Sequence, residues 1–133
     1  MTLFDGFDPA TASLLDGKNF ATLATVNPDG GPQTSVVWFE REGDTVLISV
    51  TSGRKKARNI QRDPRVSLTV FDLSNPYRSA EIRGTAELLP DPDKELPKRL
   101  SQRYLGEAPL HEMTAEIRLI VRVTPERVNG FVV

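Results

Sequence analysis

Apolar and polar residues alternate with a period of two along most of this chain, which is the pattern of half-buried β-strands. The clearest case is YRSAEIRGTAELLP, where Ala80, Ile82 and Ala86 alternate with charged or hydroxyl-bearing side chains. The same period predicts strands in three other segments: NFATLATVNPDGGPQTSVVWFEREGDTVLISV, RVSLTVFD and AEIRLIVRVTPERVNGFVV. The chain is therefore expected to be mainly β.

Turn-forming residues divide two of these segments. NPDGG (27–31) and EGD (42–44) separate the first into three strands, which predicts an antiparallel meander. Pro125 divides the last into a strand and a short terminal strand. Six or seven antiparallel strands with few helices predict a small barrel, because closure removes exposed sheet edges. Side chains would fill so small a barrel, so we expect a ligand on its outside, in a groove shared with a second subunit.

Three segments depart from the alternation and predict short peripheral helices. DPATASLLDGK has Asp8 as its N-cap and Gly17 as its stop. A second helix is expected over about residues 54–62, ahead of Pro64. DPDKELPKRLSQRYLG has apolar residues four apart, and its Pro97 implies a kink or a late start. All these elements belong to one predicted domain, residues 1–133.

Composition narrows the class of protein. The chain has 38% hydrophobic and 26% charged residues, as soluble domains do. Its 17 basic and 18 acidic residues give a net charge of -1, which argues against nucleic acid as a partner. There is no cysteine and only one histidine, His111, so a metal site is not expected. Without a membrane-length apolar run or a signal-peptide pattern, we expect a cytoplasmic protein with no membrane partner.

Four cations crowd into five positions where the second helix is expected to begin, and they are Arg54, Lys55, Lys56 and Arg58. A helix N-terminus carries partial positive charge, so each cation there is unfavourable by about 0.3–1 kcal/mol. A solvated surface is one interpretation. A bound phosphate or carboxylate would relieve the repulsion and use the free N–H groups, so we favour an anion site.

The strand TSVVWF is apolar on both faces, since Val36 and Trp38 alternate with Val37 and Phe39. One face is expected to line the barrel interior. The other would meet a partner subunit or a flat ligand. Together with the cations, this favours a cofactor that carries both a phosphate and an aromatic ring.

Three stretches resemble one family: ATLATVNPDGGPQTSVVWF, VLISVTSGRKKARNIQRDPRVSLTV and YRSAEIRGTAEL. They are similar to the pyridoxamine 5'-phosphate oxidase-like superfamily of split β-barrel proteins, over about residues 20–128. Ser35 stands where FMN-dependent oxidases carry a phosphate-binding arginine, and their pyridoxamine phosphate motifs near the C-terminus are absent. SVVWF, RKKARN and YRSAEIRG more closely resemble the flavin/deazaflavin oxidoreductase B group, which uses coenzyme F420.

The resemblance implies a reductase that transfers a hydride between F420 and a small organic molecule with an activated double bond or carbonyl. It also implies a homodimer with cofactor sites at the subunit interface. The implied cofactor-binding residues are Arg54, Lys55, Lys56 and Arg58 for phosphate and tail, Ser49, Val50 and Thr51 as donors, Val36, Val37 and Trp38 as an apolar wall, and Tyr77, Arg78 and Ser79 from the facing subunit. No catalytic residue is identified.

Alternatives to this interpretation remain open. Ser49 and Thr51 are ordinary strand residues, Trp38 could be a plain core aromatic, and Arg78 could belong to a turn. An FMN-binding enzyme like pyridoxamine 5'-phosphate oxidase is the main rival. A non-enzymatic carrier of flavin, deazaflavin or haem is another, although His111 has no recognisable haem-ligand context. A nucleic-acid-binding barrel ranks last.

Overall fold

The computed structural model describes residues 4–107 and 116–131, and these form seven strands and three helices. In chain order the elements are α1 (Pro9–Asp16), β1 (Ala21–Val26), β2 (Pro32–Val37), β3 (Glu40–Glu42), β4 (Thr45–Thr51), α2 (Lys55–Arg62), β5 (Arg65–Asp72), β6 (Asn75–Pro90), α3 (Glu95–Leu105) and β7 (Arg118–Phe131). The strands make one antiparallel sheet in the order β2-β1-β5-β6-β7-β4-β3. The prediction of a mainly β split barrel with short helices is confirmed.

The three predicted helices are present where their local signals placed them. The Asp8 carboxylate caps α1 by accepting the Thr11 N–H at 2.7 Å. Pro97 lies in the first turn of α3, where no intrahelical partner is needed for a backbone N–H. This is the late start that the sequence allowed. The first turn of α3 is held instead by Asp91, whose carboxylate accepts backbone N–H groups from the helix at 3.0 and 3.1 Å.

The predicted meander is wrong at one point, because the run from residue 32 to 42 is two strands. β2 ends at Val37 and β3 begins at Glu40, and the two lie at opposite edges of the sheet. A residue distant in sequence, Tyr104, stabilises the corner between β2 and β3. The Tyr104 hydroxyl accepts the Phe39 N–H at 3.3 Å and donates to the Asn19 carbonyl oxygen at 2.6 Å. The first of these bonds satisfies a backbone N–H that a continuous strand would have paired with a neighbour.

The predicted break at Pro125 is also wrong, since β7 continues through it. The pairing of β6 with β7 shifts there: Arg83 lies opposite Arg127, and Gly84 lies opposite Pro125. The extra residue on β7 is a β-bulge, which accommodates a proline without loss of the strand. Gly84 permits the close approach, because a Cβ on it would lie 2.1 Å from the Thr124 carbonyl oxygen.

Two hydrophobic clusters position the site. The main core lies inside the barrel, and its largest fully buried side chains include Phe39, Leu23, Ile48, Leu68 and Ile82. A smaller cluster lies outside, where α3 packs Leu96, Leu100 and Tyr104 against Leu47 of β4, with Trp38 and Ile120 beside them. The second cluster places Trp38 on the outer surface of the barrel, next to α3.

Among the described residues, every helix is too short or too polar to cross a membrane.

Candidate functional site

A split in the barrel separates β2 from the second half of β4. Only Trp38 and Phe39 connect β2 to β3, so the two edges of the sheet meet at this corner. β2 pairs only with β1, and β3 covers β4 only over residues 45–47. Among the described residues, both β2 and residues 48–51 of β4 therefore have an edge without a strand partner. Backbone N–H and C=O groups along these edges are available to a ligand.

The start of α2 lies at the far end of this split. β4 ends at Thr51, whose carbonyl oxygen accepts the Arg54 N–H at 3.1 Å. Arg58 turns back and donates from Nη1 to the Gly53 carbonyl oxygen at 2.8 Å, which holds the loop between strand and helix. The N-cap residue Arg54 makes no side-chain hydrogen bond to the first turn. The N-terminal N–H groups of α2 are therefore without a side-chain cap, among cations.

Lys56 is the cation whose surroundings point most directly to an anion. Its side chain is half-buried, and burial together with the nearby Arg54 lowers the pKa of its ammonium. Within the described ranges no carboxylate pairs with it. A desolvated ammonium without a counter-charge is unfavourable, and a bound oxyanion would reverse both effects. Arg54 and Lys55 are exposed beside it. These residues fit a phosphate-bearing group.

The outer surface of β4 and β7 changes from apolar to polar towards α2. Near the corner, the Trp38 ring stacks on Tyr104 with centroids 5.1 Å apart and planes 4° apart. Ile120 packs against the same cluster and lies opposite Ser49 across the β4–β7 pair. Thr51 follows on the same face, and the cations come next. An elongated ligand with a flat apolar end and an anionic end matches this order.

The structure brings together most of the residues predicted on β2, β4 and α2. Ser49 and Thr51 lie half-buried on the outer face of β4, and Trp38 lies at the corner. Val36 points outward from β2 and is 71% exposed. The prediction that Val37 joins the apolar wall is wrong, because its side chain packs in the barrel core. Val50 is buried there as well, so it can offer only backbone groups, as was expected of it.

The predicted residues 77–79 lie away from the split of their own chain. Ser79 pairs with Phe71, six residues along β5 from Arg65, so it lies about 20 Å from the level of Arg65, where β5 begins after α2. Tyr77 is 72% exposed. Arg78 is held within its own chain, by Asp72 at 3.1 Å and by the Ala10 carbonyl oxygen at 3.1 Å. A role for Arg78 as a free anion ligand is therefore not supported, and the segment does not reach the split of its own chain.

A buried polar network that the sequence did not reveal fixes the position of α2. Asn59 is 1% exposed and donates to Thr25 Oγ1 and Asn27 Oδ1, each at 3.0 Å. Its side-chain oxygen Oδ1 accepts from Arg62 Nη2 at 3.2 Å. The network joins the helix to β1 and to the turn that follows it. In the sequence Asn59 is one polar residue in a polar helix, so only its burial identifies it.

Arg118 is a further residue of the site that was not predicted from the sequence. It lies opposite Thr51 in the β4–β7 pair, with Nη1 3.5 Å from Ser49 Oγ. No local pattern marks it, because its neighbours come from residues 69 positions away. His111 lies outside the described residues.

Comparison with known proteins identifies the family. A family model described as pyridoxamine 5'-phosphate oxidase matches residues 7–131. The chain belongs to this family. Many proteins of known structure have the same fold as this chain.

Three similar proteins illustrate the range of sequence identity. An F420 reductase of known structure is 39% identical to this family member, with a TM-score of 0.80 over 88% of this chain and 94% of that protein. A conserved hypothetical protein from Mycobacterium tuberculosis, 24% identical, covers 98% of this chain and 89% of its own with a TM-score of 0.80. Pyridoxine/pyridoxamine 5'-phosphate oxidase from Kineococcus radiotolerans is 30% identical over 68% of this chain, and the match spans 37% of that enzyme's length.

Proposed function

We propose that this member of the pyridoxamine 5'-phosphate oxidase family is an F420-dependent oxidoreductase. Its reaction would transfer a hydride between the deazaflavin and a small organic substrate with an activated double bond or carbonyl. The observation that carries the proposal is the half-buried, unpaired Lys56 at the uncapped start of α2. The 39% identity to an F420 reductase supports F420 as the cofactor.

The residues of the split have distinct roles in this proposal. Lys56, with Arg54 and Lys55, would hold the phosphate. The hydroxyls of Ser49 and Thr51 and the open edge of β4 would hydrogen-bond the polar middle of the cofactor. Bound F420 supplies the hydride chemistry, whereas the chain's own residues bind it, orient it and exclude water. Arg58 contributes indirectly, because its bond to Gly53 shapes the loop ahead of the helix.

A second copy of this chain would complete the site. The outer face of β2, β1 and β5 carries small, hydroxyl-bearing and apolar side chains that are exposed or half-buried: Thr22, Ala24, Thr34, Val36, Ser67, Thr69 and Phe71. A twofold dimer through this face would bury the exposed Val36 and Phe71. It would also bring the distant segment 77–79 of one copy to the split of the other.

The test is a titration of the apo-protein with F420 and, separately, with FMN, followed by the fluorescence of Trp38, which is the single tryptophan. We expect F420 to bind, and Lys56→Met to raise its Kd by about tenfold or more, since a charge-assisted hydrogen bond is lost. Lys98→Met is the matched control, because Lys98 is an exposed lysine of α3. Its Kd should equal that of the wild type.

The same titration separates the rival functions. FMN binding without an F420 response would favour an FMN enzyme, the alternative suggested by the relationship to the Kineococcus oxidase. Binding of neither cofactor would refute both. Sedimentation velocity tests the dimer: a Val36→Glu change in the exposed face should give monomers, and a wild-type protein that is already monomeric would refute the twofold arrangement.

A further inference from the structure

Arg118 places an additional positive charge on the outer face of β4, apart from the cations of α2. Its position is set by the backbone, since it pairs with Thr51 and its carbonyl oxygen accepts the Asp91 N–H at 3.3 Å. Its side chain crosses to β4 and brings Nη1 to 3.5 Å from Ser49 Oγ. The residue as a whole is half-buried.

The guanidinium of Arg118 is weakly engaged in the described structure. The contact with Ser49 is at the outer limit of a hydrogen bond, and a guanidinium has five N–H groups to satisfy. No carboxylate among residues 4–107 and 116–131 pairs with it. Arg122, four residues further along β7 and on the same face, differs in this respect, because its Nε donates to Glu87 Oε1 at 2.7 Å.

Two separate cationic positions therefore line the polar part of the split. Lys56 is a compact charge at the helix start, suited to one phosphate. Arg118 offers a planar pair of N–H donors, which matches a carboxylate. A ligand with one phosphate and no carboxylate would engage the first position and leave the second unpaired.

We propose that Arg118 binds a second anionic group of the cofactor, a carboxylate, and so selects F420 over ligands that carry a single phosphate. This inference rests on the proposed function. It assigns to β7 a specificity-determining residue in addition to those of α2 and β4.

The test compares the binding of two ligands to wild-type protein and to Arg118→Met. One ligand is F420; the other is the 5'-monophosphate of the same deazaflavin, which has the ring and one phosphate but no carboxylate. We expect the Kd for F420 to rise by about tenfold and the Kd for the monophosphate to stay within about twofold. Arg118→Lys, which keeps the charge but loses the planar donor pair, should fall between wild type and Arg118→Met.

The control is Arg122→Met, which removes a cation from the same strand and face but one already paired with Glu87. It should leave both Kd values unchanged, and far-ultraviolet circular dichroism should show native strand content in every variant. An equal loss for both ligands, or no loss for F420, would overturn the assignment of Arg118. A wild-type protein that binds no deazaflavin would instead refute the proposed function itself.

Discussion

Replacement of Asn59 by alanine tests whether the buried network sets the geometry of the anion site. The variant loses two donated hydrogen bonds at 3.0 Å and the one accepted from Arg62 at 3.2 Å. Each hydrogen bond contributes about 1 kcal/mol net, so the free energy of unfolding should fall by about 2–3 kcal/mol. Thr25 Oγ1 keeps its bond to Gln33 at 2.7 Å, which limits the loss.

Urea unfolding of the apo-protein, followed by Trp38 fluorescence and by circular dichroism, measures this change. The midpoint should fall with an unchanged m-value, because the surface exposed on unfolding is the same. Gln61→Ala is the control: Gln61 is an exposed neighbour on the same helix, so its replacement should change stability by less than about 0.5 kcal/mol.

The same variant should also bind F420 more weakly under conditions where it remains folded, because α2 would no longer be held against β1. A tenfold rise in Kd is expected for a helix terminus displaced by about 1 Å, the scale on which misplacement costs binding and rate. If Asn59→Ala unfolds at the wild-type urea concentration, the network is not what positions the helix. If the variant is less stable but binds F420 with unchanged affinity, the network stabilises the fold without setting the geometry of the anion site, and the proposed link is refuted.

Three further predictions concern stability. Gly84→Ala should lower the free energy of unfolding by more than about 3 kcal/mol, since its Cβ would lie 2.1 Å from the Thr124 carbonyl oxygen; a near-native melting temperature would contradict this. Lys56→Met should raise the melting temperature of the apo-protein at pH 7 while weakening F420 binding. The native pKa of Lys56 lies below 10.5, so its charge opposes folding below that pH, and the gain should shrink as the pH approaches 10.5. Asp8→Ala should cost about 1 kcal/mol at pH 7 through loss of the cap. The bond to the Thr11 N–H lowers the pKa of Asp8 below 3.8, so this difference should disappear as the pH falls through that lowered pKa, which thermal melts at pH 2–7 would show.

Helices and strands whose limits are set by neighbouring residues could be predicted from the sequence. Asp8 and Gly17 mark the ends of α1, and Pro64 follows the end of α2, because caps and breakers act within a turn of the helix. The strict alternation of β6 needed only its own residues. The fold class and the cationic part of the site could therefore be predicted from the sequence.

Contacts between distant residues account for what the sequence did not predict. The corner at Trp38 depends on Tyr104, 65 positions from Phe39, and the bulge at Pro125 depends on Gly84 across the sheet. Arg118 meets Ser49 only through the β4–β7 pairing. The family resemblance assigned Val36 and Val37 to one wall, although a period of two places their side chains on opposite faces, as the structure shows.

The order in which this chain can fold has a consequence for ligand binding. The hairpins β1–β2 and β5–β6 join neighbours in sequence and close short loops, whereas β4 and β7 meet across 69 positions at the contact between Ser49 and Arg118. Loop-closure entropy makes such a long-range pairing slow relative to a hairpin. The polar part of the split lies on this late pairing. A cofactor would therefore bind only after the sheet has closed, and its capture would mark the end of folding.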